Sequence, residues 1–262
     1  LWKPEVDKSG NGYAVLRFLP APNGEDVPWV KIYDHGFQGP GGWYIENSRT
    51  SLGVGEKDPL SEHNSMLWNS GIESNKDVAR KQKRRLKYFS NILIVKDPAN
   101  PQNEGKVFLY QYGAKIFEKL QNAMQPEFED ESPVNPFDLW EGANFKLKIR
   151  KVDGYWNYDK SEFDSPTAIF KEESAIESTW KKQYPLDEFT NSNAFKSYDE
   201  LKTRLDIVLS GKTTVGNVTD TLEDAPVAAP VVDTKEVSAP IVETQVEESD
   251  DSMDYFNKLA NA

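Results

Sequence analysis

The 262-residue chain has no cysteine. That absence removes disulfides and thiolate metal ligands together, and it fits a reducing compartment. Histidine is scarce too, with His35 and His63 the two present, which leaves little imidazole for catalysis or metal binding. No apolar run reaches the roughly 18 residues that a membrane-crossing helix needs. The opening Leu1-Trp2-Lys3-Pro4-Glu5 lacks the apolar centre of a secretory leader. Glycine-rich phosphate loops, a nucleophile elbow and a Ser-His-Asp order are also missing, so the pattern points to binding rather than catalysis. No internal repeat of about 20 to 50 residues is visible, which excludes a solenoid or propeller.

The formal net charge of -12 would, taken as an average, oppose a nucleic-acid partner. Its distribution reverses that inference. From Thr219 to Ala262 eleven acids face only Lys235 and Lys258, so this stretch carries -9 and the other 218 residues carry -3. Arg80, Lys81, Lys83, Arg84, Arg85 and Lys87 place six cations in eight positions. A near-neutral body with one dense basic block and an acidic end is a polarised molecule.

Period-2 alternation predicts strands over Tyr13–Leu19, Trp29–Tyr33, Trp43–Ile45, Tyr88–Val95, Lys106–Tyr112 and Phe145–Val152. In the last of these, Phe145, Leu147 and Ile149 alternate with Lys146, Lys148 and Arg150, so one face is core and the other cationic. Helical spacing marks Lys115–Met124 and Ser197–Leu209, the latter opened by Ser197 and Glu200 at capping-box spacing. Residues 46–80 show little periodicity and read as a loop-rich insertion. Beyond Ser210, Val, Ala, Pro, Thr and acids follow without period, a composition that cannot bury enough apolar surface to order itself. The predicted organisation is a core over 1–210 and an acidic, disordered tail over 211–262.

The basic block runs directly into Tyr88 and Phe89. Fixed cations suit backbone phosphates, and aromatic faces stack on unpaired bases for about 1–3 kcal/mol each, whatever the sequence. Tyr110 and Tyr112 share a strand face, and Tyr155, Trp156 and Tyr158 follow the cationic strand. A solvated helix face feeding a core strand would explain the basic run alone. Cations and rings on several strands together favour a nucleic-acid groove.

The motifs then become familiar. Asn11-Gly12-Tyr13-Ala14-Val15-Leu16-Arg17-Phe18-Leu19-Pro20, His35-Gly36-Phe37, Trp43-Tyr44-Ile45-Glu46, Asn91-Ile92-Leu93-Ile94-Val95-Lys96-Asp97-Pro98, Asn103-Glu104-Gly105-Lys106-Val107-Phe108, Trp140-Glu141-Gly142-Ala143-Asn144-Phe145 and Asn157-Tyr158-Asp159 occur in order. Over about residues 1 to 165 the chain resembles the gene 32 single-stranded-DNA-binding family of T-even-type phages. The resemblance implies an α+β, mostly β fold: an OB-type five-stranded barrel core, a small metal-bearing subdomain and peripheral helices. It implies single-stranded DNA in the cleft between them, held open and protected for replication, recombination and repair in the cytoplasm of the infected host. DNA-facing residues carried over by motif are Arg17, Lys83, Arg84, Arg85, Tyr88, Phe89, Tyr110, Tyr155 and Tyr158. Phe89 stands where the family pattern has Trp, and Gln111 where it has Arg.

The family's acidic tail contacts replication and recombination proteins, and its basic amino-terminal arm gives cooperativity. The present sequence starts about ten residues before its first strand, as a truncated core or as a variant without the arm, and in the second case weak self-association along DNA is expected. The family's zinc site uses one His and three Cys, the last two as Cys-x-x-Cys. Here His35 is retained, Ser48 falls at the first Cys, and the pair becomes something within Asp58 to His63. His35, His63 and Asp58 could supply three ligands, but the expectation is no zinc, with packing of Trp43, Leu60, Met66, Leu67 and Trp68 replacing it. Single-stranded RNA is an alternative occupant of the same groove. A magnesium nuclease built on Asp153, Asp159, Lys160 and Glu162 is a weaker rival, because chance acidic clusters are common in so acidic a chain.

Overall fold

The computed structural model describes residues 1–128 and 130–211. The acidic stretch beyond Gly211, and the reading of it as a disordered tail, lie outside the described residues.

Among the described residues eight strands form one antiparallel system: β1 (Gly12–Phe18), β2 (Val30–Gly39), β3 (Gly42–Asn47), β4 (Arg85–Lys96), β5 (Val107–Tyr112), β6 (Phe145–Val152), β7 (Tyr155–Asn157) and β8 (Glu162–Phe163). Five helices accompany them among the described residues: α1 (Pro59–Asn69), α2 (Glu73–Gln82), α3 (Ala114–Met124), α4 (Glu173–Trp180) and α5 (Tyr198–Ser210). The strand order is β3-β2-β4-β1-β6-β7, with β5 added on β4 and β8 on β6. The sheet path does not close on itself.

The twelve-residue β4 organises the sheet. Residues 85–89 pair with β2, 92–96 with β1, and 88–93 with β5. The main core lies against one face, where Leu16, Phe18, Tyr88, Ile92, Ile94, Tyr110, Tyr112, Phe145, Leu147 and Ile149 meet Ile116, Phe117 and Leu120 of α3. The expected alternation of β6 holds: its even-spaced apolar residues are buried and its cations lie on the other face. Those cations pair with the chain that follows, Lys146 with Asp164, Lys148 with Glu162 at 2.7 Å and Arg150 with Asp159. Two of the acids weighed for a nuclease centre, Asp159 and Glu162, are therefore ion-pair partners, and no group of three His, Cys, Asp or Glu among the described residues is placed to hold a metal.

The insertion over 46–80 departs from the loop-rich expectation. It holds a 3₁₀ turn over Arg49–Ser51 and the hairpin of α1 and α2. Asp58 caps α1 by accepting from the Ser61 N–H, and Pro59 occupies the first turn, where its missing N–H costs nothing. The α5 helix begins with the expected reciprocal Ser197–Glu200 cap. It then seats Leu201, Leu205 and Val208 on Phe37, Tyr44 and Leu60, tying the insertion to the end of the chain. Gly41 allows this approach, since a Cβ there would lie 2.0 Å from the Ile207 carbonyl oxygen. Of the residues expected to pack there, Leu60 is fully buried, Leu67 and Trp68 are half-buried, and Met66 and Trp43 are exposed.

The two faces of β6 predict different costs. Leu147→Ala should lower the unfolding free energy by about 2–5 kcal/mol through lost transfer energy and the cavity left, and Lys148→Ala by less than about 1 kcal/mol. Chemical denaturation at neutral pH measures both.

Candidate nucleic-acid interface

The basic block is divided between two elements. Arg80 and Lys81 lie in the last turn of α2, where the helix dipole favours cations, and Arg80 also pairs with Glu73 and Asp77. Lys83 and Arg84 link helix to strand, and Arg85 and Lys87 lie in the β2–β4 ladder. Parity along the ladder then separates them. Arg84 lies on the core side beyond the core's edge, its guanidinium 3.7 Å from the centroid of the Tyr33 ring, while Lys31 approaches the same ring at 5.2 Å. Arg85 and Lys87 lie on the outer side, and both donate to Oδ2 of the buried Asp34 at 2.7 Å. Gly36 leaves room for Arg85, for a Cβ there would come within 2.3 Å of its Nη2.

On that outer side a cavity of about 380 Å³ lies beside β4. Its floor is strand residues Ile32, Lys87, Phe89, Leu109 and Gln111. Its far wall is the segment around Tyr184, Pro185, Glu188, Phe189 and Ala194, with Asn47 at one end. Phe89 stacks on Phe189 at a centroid distance of 4.5 Å. The wall is fastened by the buried Asn91, which donates to the Tyr184 carbonyl at 2.8 Å and accepts from its N–H at 2.9 Å. Glu25 accepts from the Leu186 N–H at 2.7 Å. Tyr184 is 45% exposed at the rim.

Several motif-derived residues are placed elsewhere, and these placements correct the expectation of one aromatic trough. Tyr88 and Tyr110 are 6% and 3% exposed. Tyr88 stacks on Phe117 at 3.9 Å, and Tyr110 meets Trp2 edge-on at 5.3 Å. Both have the parity of Ile92 and point into the core, as does Tyr112. Arg17 is fully buried and donates to the carbonyls of Asp138 and Thr167 at 2.8 Å each, strapping two loops over the sheet. Burial lowers the pKa of this guanidinium, against the opposing charge of Asp138. Tyr158 is half-buried against the main core, whereas Tyr155 is 44% exposed on the β6–β7 hairpin. That hairpin turns at Asp153 and Gly154, both with positive φ, the two-residue turn that Asp-Gly favours.

The structure thus gathers Lys83, Arg84, Arg85 and Phe89 at one end of β4, and sets Tyr155 apart on the hairpin. It also adds Lys31, Tyr33, Asp34, Lys87, Tyr184 and Phe189, which the motifs did not mark. The alternation of Lys31 and Tyr33 in the second strand was the available signal. The 184–195 segment has no periodicity and offered none.

Residues 10–209 match the family described as gp32 DNA binding protein like. The chain belongs to this family. A protein of Enterobacteria phage T2 named single-stranded DNA-binding protein is 41% identical over 213 residues, covering 79% of this chain and 69% of that relative. The protein of the same name from Enterobacteria phage T4 is 40% identical over 213 residues, with the same coverage. A third, from Escherichia phage SV14, is 42% identical over 62 residues, covering 24% of this chain and 55% of the relative.

In this gp32-like chain the positions of the expected zinc pattern meet as a polar cluster. His35 and Asp58 are buried, with Nε2 and Oδ1 3.2 Å apart. Asp58 also accepts from the Ser48 hydroxyl and the Arg49 N–H, at 3.1 Å each, and from the Ser61 N–H at 2.9 Å. The other ring nitrogen of His35 lies 3.3 Å from the Gln82 carbonyl oxygen, which also accepts from Asn64 at 3.0 Å. His63 does not join them; its pKa is lowered by burial, and the charges it senses are Asp206 and Lys202 of α5.

Burial alone would raise the Asp58 pKa, but the His35 hydrogen bond and charge, with the two N–H donors, outweigh it and bring the carboxyl to about 2. A carboxyl depressed in the folded state stabilises that state above its unfolded pKa near 4 and loses the effect as pH falls toward 2. Acid titration of stability should therefore show a decline across that window which is shallower in Asp58→Asn. Unfolding free energies measured from pH 5 to pH 2 check this.

Proposed function

We propose that this protein binds single-stranded DNA without sequence preference, by phosphate contacts along the basic end of β4 and base stacking in the adjoining groove. The observation that carries the reading is the groove floored by Lys87, Phe89 and Gln111, with Arg85 beside Lys87 on Asp34 and Lys83 and Arg84 just before them in the chain. Family membership and relatives named as single-stranded DNA-binding proteins support it. A groove of this volume lies in the range of small-ligand sites and suits a flipped-out base. The curved antiparallel sheet is read as the OB-type barrel that such binding commonly uses. Duplex DNA hides its bases, so only unpaired strands gain the stacking part. The role is then to hold strands open during phage replication, recombination and repair in the host cytoplasm. Among the described residues no helix is long and apolar enough to cross a membrane.

Asp34 gives this surface a particular electrostatics. It neutralises one of the two cations it holds, so Arg85 and Lys87 present a net charge of about +1 rather than +2 to an incoming phosphate. It also keeps both side chains from spreading into solvent.

Fluorescence titration with oligothymidine over a range of salt tests the reading. Arg84→Ala or Lys87→Ala should weaken binding and flatten the log–log salt slope by about 0.7, the share of one phosphate on a single strand. Phe89→Ala should cost about 1–3 kcal/mol with an unchanged slope, because stacking releases no counterions. Asp34→Asn should tighten binding at low salt and steepen the slope. Retention of wild-type affinity and slope by Arg84→Ala and Lys87→Ala would place the DNA elsewhere.

A further inference from the structure

We infer that a metal-free polar clasp centred on Asp58 holds the subdomain where the family pattern has zinc, and that this clasp positions Arg84. The positioning half of the inference rests on the proposed role of Arg84 in phosphate binding.

The donor set does not fit zinc. Zinc takes thiolate, imidazole or carboxylate ligands. Here His35 and Asp58 are one imidazole and one carboxylate, and the two other positions are the hydroxyls of Ser48 and Ser61. Asp58 and Ser61 keep the x-x spacing expected of the cysteine pair. Both oxygens of Asp58 already accept hydrogen bonds, four in all, and each nitrogen of His35 faces an oxygen acceptor. The same four positions therefore converge, but on one another.

What the clasp joins is specific. It gathers the middle of β2 at His35, the turn at Ser48 and Arg49, the start of α1 at Asp58 and Ser61, and the end of α2 at Gln82. From it two routes lead to Arg84. Through side chains, Asp58 accepts from Ser48, the Ser48 hydroxyl lies 2.9 Å from that of Thr50, and Arg84 Nη1 donates to Thr50 Oγ1 at 2.7 Å. Through the backbone, the Gln82 carbonyl is held by His35 and Asn64 two residues before Arg84. The ring under the guanidinium belongs to the same frame: the Tyr33 N–H donates to the Ser51 hydroxyl at 2.8 Å, and its carbonyl accepts from the Ser48 N–H at 2.8 Å. A long cationic side chain on a strand end is costly to order. Here the ordering is done in advance by groups that never touch DNA.

Three measurements on the full chain test this. Elemental analysis should find no stoichiometric metal, and a strong chelator should leave both melting temperature and oligothymidine affinity unchanged. One zinc per chain, with affinity lost on chelation, would overturn the metal-free clasp. Thr50→Val, which cuts the last link to Arg84 and leaves Asp58 its own partners, should weaken oligothymidine binding roughly three- to tenfold, the equivalent of about one hydrogen bond, with little change in melting temperature. Thr50→Ser should restore it. If Thr50→Val binds as wild type while Arg84→Ala is weakened, the positioning role is refuted and the groove survives. If Arg84→Ala itself binds as wild type, the positioning role is refuted, and Lys87→Ala then decides whether the groove reading stands. Finally, the variant Ser48→Cys with Asp58→Cys and Ser61→Cys should take up one zinc per chain. A folded triple variant that takes up none would show that the four positions do not converge.

Discussion

Side chains along a strand point alternately to its two faces, and nowhere does this matter more than in β4. Because β4 is paired on both edges, neither face can slide without breaking ladders to β1, β2 and β5 together. Tyr88, Ile92 and Ile94 are consequently committed to the main core. Lys87, Phe89 and Leu93 are committed to the opposite side, where Phe89 joins a second cluster with Val30, Ile32 and Leu186. Two aromatic neighbours in sequence thus have different fates. Both support the fold, Tyr88 in the main core and Phe89, 9% exposed, in the cluster beneath the groove.

Electrostatics sorts the surface in the same local manner. The cations of β6 are matched by Asp159, Glu162 and Asp164 a few residues downstream, so a strand that looks strongly basic has little field left to offer. Arg80 is similarly matched on its own helix. At the start of β4 the compensation is thinner, with one buried carboxylate serving both Arg85 and Lys87. Exposed pairs of this kind add little stability, and their larger effect is on where an anion is drawn.

Most of the sheet was legible from alternation alone, and β6 coincides with its predicted span because its core and cationic residues alternate cleanly. The capping box before α5 was equally readable. The helices of the insertion were not, because α1 and α2 are short and mostly polar, with Gly53 and Gly55 before them and Gly71 between; the Asp58-Pro59 start was the one local sign. At the interface, residue type was legible and direction was not. Tyr88, Tyr110 and Arg17 have the chemistry of nucleic-acid contacts, but burial depends on which side each strand turns inward, and that requires the partners of β4. Tyr33 and Asp34 gain their importance from residues some fifty positions away, a relation that spacing cannot carry.

The fastening of the groove's far wall has a consequence of its own. Asn91 and Glu25 grip main-chain groups of the 184–187 segment, so that much of the docking is indifferent to which side chains the segment bears. Tyr184 and Glu188 face the cavity from a backbone secured independently of them. Anchorage and chemistry are thus written in separate residues, and the rim can be recoloured, from acidic to neutral or from ring to aliphatic, while the scaffold beneath it keeps its shape.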